Sequence, residues 1–259
     1  MSAILNPALG SGALVGFSLG LIGGGGSILA TPLLLYVVGV AQPHIAIGTG
    51  ALAVSATAFI NLAGHACTGN VRWRCAIVFA AVGTFGALVG SSIGKLVDGN
   101  KLLFLFGLVM LAVGAMMLRP RSETSAPERD VNLGTCLLTA AVACLTGTAS
   151  GFFGIGGGFL IVPGLLLATR MPMINAVGSS LLAVGCFGLA TAINYAFSGL
   201  VDWLVAGQFI AGGLAGGLLG MALANRLSRG KDTLKRIFAG VIFAVAAYVL
   251  YRSGQAMLG

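Results

Sequence analysis

The chain has 259 residues, of which 58% are hydrophobic and 8% are charged, and its mean hydropathy is +1.03. A soluble domain of this length needs several times more charge to cover its surface, so the composition excludes a water-soluble globular protein. It predicts an all-α polytopic membrane protein embedded in the lipid bilayer. The net charge of +8 does not indicate nucleic acid, because the basic residues lie between apolar segments, as in cytoplasmic loops.

Apolar segments recur along the chain in two similar series. The first series is a glycine-broken stretch, with helices predicted over 5–22 and 27–39, followed by spans over 45–63, 75–94 and 102–118. The second is a broken stretch over 133–153 and 158–169, followed by spans over 175–197, 203–225 and 234–251. The pieces after the breaks have about 13 residues, or roughly 20 Å of helix, which suits half of a membrane crossing.

The two series are related in sequence. The stretch from Gly20 to Pro32 returns from Gly151 to Pro163, at an offset of 131 residues. Two further motifs return at an offset of 130: Ala46-Ile-Gly-Thr-Gly50 as Ala176-Val-Gly-Ser-Ser180, and Gly69-Asn-Val-Arg-Trp73 as Gly199-Leu-Val-Asp-Trp203. Matched order at a nearly constant offset predicts a duplication. The first membrane repeat covers 1–119, a polar linker covers 120–131, and the second repeat covers 132–259.

Loop charge predicts that the two repeats face opposite ways. Inverted repeats gather eleven Lys and Arg residues on one side and leave only Lys95, Lys101 and Arg252 on the other, whereas parallel repeats split them eight to six. Positive charge concentrates in cytoplasmic loops. The linker is therefore predicted to be cytoplasmic and both termini periplasmic. The same parity results whether each broken stretch forms a re-entrant hairpin or two short crossings.

The glycine breaks are the predicted substrate site. The first N–H groups of a helix have no internal partner and carry partial positive charge, and glycine leaves room for a ligand to approach them. Two breaks in opposed halves predict an anion site near the midplane, lined by backbone amides and hydroxyl groups. Tight packing, a hinge, or hydroxyls bonded to their own helix are the alternatives. The predicted residues are Gly23, Gly24, Gly25, Gly26, Ser27, Thr49, Gly154, Gly156, Gly157, Gly158, Ser179 and Ser180.

Other polar residues within the spans have two interpretations each. Asn61 and Asn194 are helix contacts or ligand groups, and His65 is a structural hydrogen-bonding group or a proton carrier. All six carboxylates lie in loops or at span ends, whereas proton and sodium transporters usually keep one within the membrane, so a passive or potential-driven route is favoured. The spans contain neither a catalytic acid–base pair nor ligands at metal-binding spacing, so no enzyme activity, metal or cofactor is predicted.

The paired Gly-Ile-Gly-Gly-Gly…Pro and Ala-x-Gly-Thr/Ser motifs, with the Gly-x-Val-x-Trp segment, resemble those of the sulfite exporter TauE/SafE family. The resemblance covers both halves and implies a bacterial inner-membrane permease that moves sulfite, sulfoacetate or a related small anion, often outward. The first copy reads Gly-Gly-Gly-Gly-Ser over 23–27, so the two copies need not form equivalent sites. An anion channel and a membrane assembly or redox-maturation factor are the alternative functions.

Overall fold

The computed structural model describes residues 2–118, 133–154, 158–227, 240 and 242–251. Within these residues the regular structure is entirely helical, and six stretches are long and apolar enough to cross a membrane. The prediction of an all-α polytopic membrane protein is therefore confirmed. The linker over 120–131 and residues 234–239 and 241 of the last predicted span lie outside the described residues.

Ten α-helices and one 3-10 helix make up the described structure. The first repeat contains α1 (Ser2–Ile22), the 3-10 helix (Gly23–Leu29), α2 (Ala30–Tyr36), α3 (Pro43–Cys67), α4 (Trp73–Gly94) and α5 (Gly99–Leu118). The second contains α6 (Leu133–Phe153), α7 (Gly158–Thr169), α8 (Met173–Ala196), α9 (Trp203–Leu227) and α10 (Ile242–Tyr251). Proline at the first position of α3 suits a helix start, because the N–H that it lacks has no helical partner there.

The two described aspartates mark helix starts. Asp98 Oδ1 accepts hydrogen bonds from the N–H groups of Asn100 and Lys101, at 3.0 and 3.2 Å. Asp202 Oδ1 accepts from Leu204 and Val205, both at 3.1 Å. Carboxylates in this position satisfy the unpaired donors of the first helical turn and interact favourably with the helix dipole. Both carboxylates are therefore used in capping α5 and α9.

Left-handed glycines turn the chain after α1 and after α6. Gly23 has a φ of 68° and its repeat counterpart Gly154 a φ of 66°. The returning segment packs closely on α1, since a Cβ at Gly26 would collide with the backbone of Leu19. The helix predicted over 27–39 differs in detail, because a 3-10 helix precedes it and the α-helix covers only Ala30–Tyr36. Four consecutive glycines have low α-helical propensity, and the tighter 3-10 form accommodates the turn.

Glycine faces join each repeat's first helix to the other repeat. Helices α1 and α9 run in parallel, with three glycines against successive carbonyls: Gly12 on Phe209, Gly16 on Gly213 and Gly20 on Gly217. The equivalent pair, α6 and α4, also runs in parallel, with Gly147 on Gly83 and Gly151 on Ala87. These glycines have a packing role, because a side chain at any of them would hold the backbones apart.

Helices that occupy the same place in the two repeats run antiparallel to each other. In α3 and α8, Gly48 lies beside Tyr195 and Phe59 beside Gly185. Between these contacts the Ser55 hydroxyl donates to the Gly185 carbonyl at 2.7 Å. Ser55 and Gly185 are separated by the repeat offset of 130, so a residue meets its own counterpart where the helices cross. Helices α5 and α10 are antiparallel as well, with Gly107 beside Leu250 and Gly114 beside Ile242.

These directions define two ends of the helix bundle. We call the end that holds the start of α3 and the end of α8 the Lys95 end, and the opposite one the Arg72 end. Of the described basic residues, Lys95 and Lys101 lie at the Lys95 end. The others lie at the Arg72 end: Arg72, Arg74, Arg170 and Arg226.

The α1–α9 contact makes a prediction about two glycines of α1. Alanine at Gly16 would place a methyl group against the Gly213 backbone, whereas nothing lies within 4 Å of a Cβ at Gly10. We expect Gly16→Ala to lower the free energy of unfolding by about 1–3 kcal/mol. Gly10→Ala should raise it by up to about 1 kcal/mol, because alanine favours the helix. Unfolding of the purified variants in detergent measures both, and equal stabilities would contradict the contact.

Candidate functional site

The two glycine breaks meet in the interior of the bundle. A Cβ at Gly24 would lie 2.7 Å from the Cα and from the carbonyl oxygen of Gly158, at the start of α7. It would also lie 2.7 Å from a methyl carbon of Val184, the residue before Gly185 at the α3–α8 crossing. Residues 23–27 and Gly154 and Gly158 are all buried. The described breaks therefore lie together, beside the point where the two repeats cross.

Two serines hold the Gly24 peptide at this point. The Ser180 hydroxyl accepts a hydrogen bond from the Gly24 N–H at 3.0 Å and donates to the Val177 carbonyl at 2.8 Å. The Ser27 hydroxyl donates to the Gly24 carbonyl at 2.8 Å. Ser27 and Ser180, both predicted site residues, thus lie at the first break, and each hydroxyl donates its hydrogen to a backbone carbonyl. The repeat counterpart of Ser180 is Gly50, so the two halves contribute different groups to the centre.

Thr49 and Ser179 lie on either side of this centre. Each is six residues from the crossing, Thr49 before Ser55 on α3 and Ser179 before Gly185 on α8. At 1.5 Å per residue each lies about 9 Å from the crossing, and the opposite helix directions put them towards opposite ends. The structure therefore does not bring these two predicted residues together in one site.

The hydroxyls of Thr49 and Ser179 join the two repeats. Thr49 Oγ1 accepts a hydrogen bond from the Asp202 N–H at 2.9 Å, and Ser179 Oγ accepts one from the Arg72 N–H at 2.9 Å. These bonds are counterparts, because Arg72 and Asp202 are also 130 residues apart. Among the described residues, this is the one hydrogen bond found for each hydroxyl, so the hydroxyl hydrogen is still able to donate to a ligand.

Close backbone approach explains the glycine of the Ala-x-Gly-Thr/Ser motif. A Cβ at Gly48 would collide with the Leu200 carbonyl, and one at Gly178 would lie 2.5 Å from the Asn70 carbonyl. The Gly-x-Val-x-Trp loop of each repeat therefore docks on the motif of the other, held by the hydroxyl one residue later. Sequence reasoning missed this joint role, although the two motifs recur at the same offset of 130.

Asn61 and His65 bond to α1. Asn61 Nδ2 donates to the Gly16 carbonyl at 3.5 Å, and His65 Nε2 donates to the Gly20 carbonyl at 3.0 Å. Both side chains are buried. A nitrogen that donates to a carbonyl carries the hydrogen, so this contact assigns the Nε2 tautomer of neutral His65. Each residue thus makes a contact that joins α3 to α1.

Asn194 belongs to a different cluster, at the Lys95 end. Its Nδ2 donates to the hydroxyls of Ser91 and Ser92, at 2.7 and 3.1 Å, and its Oδ1 accepts from Lys95 Nζ at 2.8 Å. Sequence reasoning counted Lys95 only as a loop charge. The signal that would have found it is a lysine at the apolar end of a span, opposite an asparagine of the other repeat.

The remaining predicted residues are less informative. Gly25 and Gly26 are buried within the 3-10 helix. Gly156 and Gly157 lie outside the described residues. Within the described part of the chain, no group of three or more His, Cys, Asp or Glu side chains is placed to hold a metal ion.

Comparison with known proteins identifies the fold and the general function. The family model described as "Sulfite exporter TauE/SafE" matches residues 8–249. The chain belongs to the sulfite exporter TauE/SafE family. It is a multi-pass membrane transporter, and the resemblance drawn from its motifs is confirmed.

Several relatives have the same general name. A "Probable membrane transporter protein" of Xylella fastidiosa is 62% identical over 251 residues, covering 96% of each chain. The "Probable membrane transporter protein YunE" of Bacillus subtilis is 27% identical over 261 residues, covering 93% of this chain and 95% of the relative. A relative from Haemophilus influenzae is 27% identical over 195 residues, covering 73% and 72%. No solved structure matches the chain.

The docking of the loops makes a prediction about Thr49. Thr49→Val keeps the shape of the side chain but leaves the Asp202 N–H without its acceptor. We expect it to lower the free energy of unfolding by about 0.5–1.5 kcal/mol, the typical effect of losing one partly buried hydrogen bond. Thr84→Val is the control, because the Thr84 hydroxyl donates to the Ala80 carbonyl of its own helix. Thermal unfolding in detergent compares the two, and a Thr49 variant as stable as the control would contradict the role.

Proposed function

We propose that this transporter exports a small anion, such as sulfite, sulfoacetate or another organosulfur anion or oxyanion, across the bacterial inner membrane. The anion binds near the midplane, where backbone amides of the two glycine-broken segments face it. The single observation that carries the proposal is the meeting of Gly24 and Gly158 beside the α3–α8 crossing. A site at the junction of two repeats is accessible from either side by a small rearrangement of one repeat against the other.

The chemistry of the centre supports an anion over a cation. The carboxylates of the two described aspartates cap α5 and α9 at the Lys95 end, where they accept from backbone N–H groups of those helices. Backbone N–H groups and the hydroxyls of Thr49 and Ser179 are the donors that remain near the pathway. A cation site within a membrane normally uses carboxylates or converging carbonyl oxygens.

Charge distribution supports a defined orientation in the membrane. Antiparallel α3 and α8, and antiparallel α5 and α10, are what inverted repeats require. The Arg72 end holds four of the six basic residues named above, so the proposal places it in the cytoplasm. Both termini and the Lys95 end are then periplasmic.

Flux measurements test the substrate class. Purified protein in proteoliposomes should take up labelled sulfite or sulfoacetate with saturation, and unlabelled anion inside the vesicles should accelerate uptake by counter-flow. Sulfate, thiosulfate and small carboxylates complete the panel. A channel would show flux without counter-flow. If no anion of the panel moves, the proposed substrate class is wrong.

The glycine breaks make a prediction about transport. Gly25→Val and Gly156→Val should reduce sulfite flux at least tenfold, because a branched side chain blocks approach of the anion to the backbone amides. Gly10→Val is the matched control, since it introduces the same side chain in an open position of α1. Size-exclusion profiles and unfolding temperatures verify that each variant is folded. Normal flux in both break variants would return these glycines to a packing role.

The proposed orientation makes a prediction about labelling. In a variant without native cysteines, a cysteine replacing Ser125 of the linker should react with a membrane-impermeant maleimide only after the cell membrane is opened. A cysteine replacing exposed Asn100, at the Lys95 end, should react in cells whose outer membrane alone is permeabilised. The reverse pattern would place the Arg72 end outside the cytoplasm.

A further inference from the structure

Lys95 is held between the two repeats at one end of the bundle. Its Nζ donates to Asn194 Oδ1 at 2.8 Å, to the Asn194 carbonyl at 3.2 Å and to the Ser198 hydroxyl at 2.9 Å. It also lies 5.9 Å from the centre of the Tyr195 ring. Lys95 follows α4 of the first repeat, whereas these contacts belong to the second. Three acceptors use all three donors of the ammonium group and fix its position.

This ammonium group has oxygen atoms around it but no negative charge. Its three acceptors are neutral, and no carboxylate of the described residues forms an ion pair with it. Asp98, three residues along the chain, accepts instead from the first N–H groups of α5. Lys95 is only partly exposed, so water compensates its charge incompletely. An oxyanion would make stronger, charge-assisted hydrogen bonds with Nζ than the neutral oxygens make.

A second donor without a partner lies beside the ammonium group. Tyr195 is fully buried, and its hydroxyl has no hydrogen-bond partner among the described residues. A buried hydroxyl in this state is unfavourable and is stabilised by any ligand that accepts its hydrogen. Nζ lies over the ring, 5.9 Å from its centre, and the hydroxyl is on the rim of that same ring, so a small oxyanion that accepts from Nζ lies within reach of the hydroxyl hydrogen.

Among the described residues, the opposite end of the bundle differs from this arrangement. The repeat counterparts of Asn194 and Ser91 are Gly64 and Met221, and a Cβ at Gly64 would collide with the Met221 sulfur. The counterpart of Tyr195 is His65, whose Nε2 is bonded to the Gly20 carbonyl. Repeat symmetry therefore does not require the cluster of Lys95, Asn194, Ser198 and Tyr195.

We propose that Lys95 and Tyr195 form an anion-binding site at the Lys95 end of the transport pathway. A small oxyanion displaces Asn194 and Ser198 from the Lys95 ammonium and accepts the Tyr195 hydroxyl hydrogen. Displacement also breaks the contact that Lys95 makes between the repeats at this end. The site adds to the proposed transport a binding step at two named side chains, outside the place where the glycine breaks meet. Its physiological ligand is the transported anion, so the proposal rests on the proposed function.

Binding measurements test the site without requiring transport. Sulfite and sulfoacetate are titrated onto purified protein in detergent at constant ionic strength, and the rise in unfolding temperature is fitted to a dissociation constant. Lys95→Gln should raise this constant at least about tenfold, the effect of losing a hydrogen bond to a charged group. Tyr195→Phe should raise it about fivefold, the effect of losing a neutral hydrogen bond.

Lys101→Gln is the matched control, because Lys101 is an exposed lysine at the same end. It removes the same charge and should leave the constant unchanged, and Lys95→Arg should retain most of the affinity. Equal constants for the Lys95→Gln and Lys101→Gln variants would overturn the site. Absence of any anion effect on the wild-type unfolding temperature would overturn it as well.

Footprinting of the wild-type protein tests the site without a variant that fails to fold. Sulfite should slow acetylation of Lys95 by an amine-reactive ester and leave Lys101 unaffected, as measured by mass spectrometry. Equal rates for Lys95 with and without sulfite would count against the site. Anion flux in proteoliposomes without protection of Lys95 would contradict the Lys95 site and leave the proposed transport intact. Protection of Lys95 without flux would contradict the proposed transport and leave the site intact.

Discussion

The hydrogen bond from the Ser55 hydroxyl to the Gly185 carbonyl joins two residues that hold the same place in the two repeats. Since α3 and α8 run in opposite directions through this point, other contacts between the repeats recur as counterparts with the roles exchanged. The α1–α9 glycine face is matched by the α6–α4 face, and the Thr49–Asp202 bond by the Ser179–Arg72 bond. In lipid there is little hydrophobic drive between helices, so close backbones and buried hydroxyls provide the cohesion.

The polar groups of the membrane interior have two different roles. Most of them hold helices and loops together: Asn61 and His65 join α3 to α1, and the Thr49 and Ser179 oxygens hold the docked loops. A smaller set departs from the repeat symmetry. Ser180 stands where the first repeat has Gly50, and Asn194 of the Lys95 cluster stands where it has Gly64. These differences make the two ends of the bundle chemically unequal.

Much of the architecture was predictable from the sequence. The lengths of the apolar segments show which of them can cross a membrane, and the constant offset shows that the two series share one layout. Where the structure describes both ends of a predicted span, its bounds agree with the helix to within a few residues, except after Gly23. There, four glycines carry no side-chain pattern, so the sequence could not distinguish a 3-10 turn from the start of an α-helix. It also could not show that the Ala-x-Gly-Thr/Ser motif and the Gly-x-Val-x-Trp loop contact each other. That contact joins residues of different repeats, and spacing along the chain does not show which hydroxyl accepts a hydrogen bond from which N–H group.

The first helix of each repeat packs on a helix of the other repeat, and this has a consequence for biosynthesis. Helix α1 ends at Ile22 and the helix that covers its glycine face begins at Trp203, 181 residues later. At 5–20 residues per second the ribosome needs roughly 10 to 40 s to make that stretch. During this time α1 lies in the membrane with its row of small residues facing lipid or another protein. Correct assembly therefore depends on keeping that surface from pairing with the wrong helix until α9 arrives, a task for the insertion machinery rather than for the sequence of the first repeat.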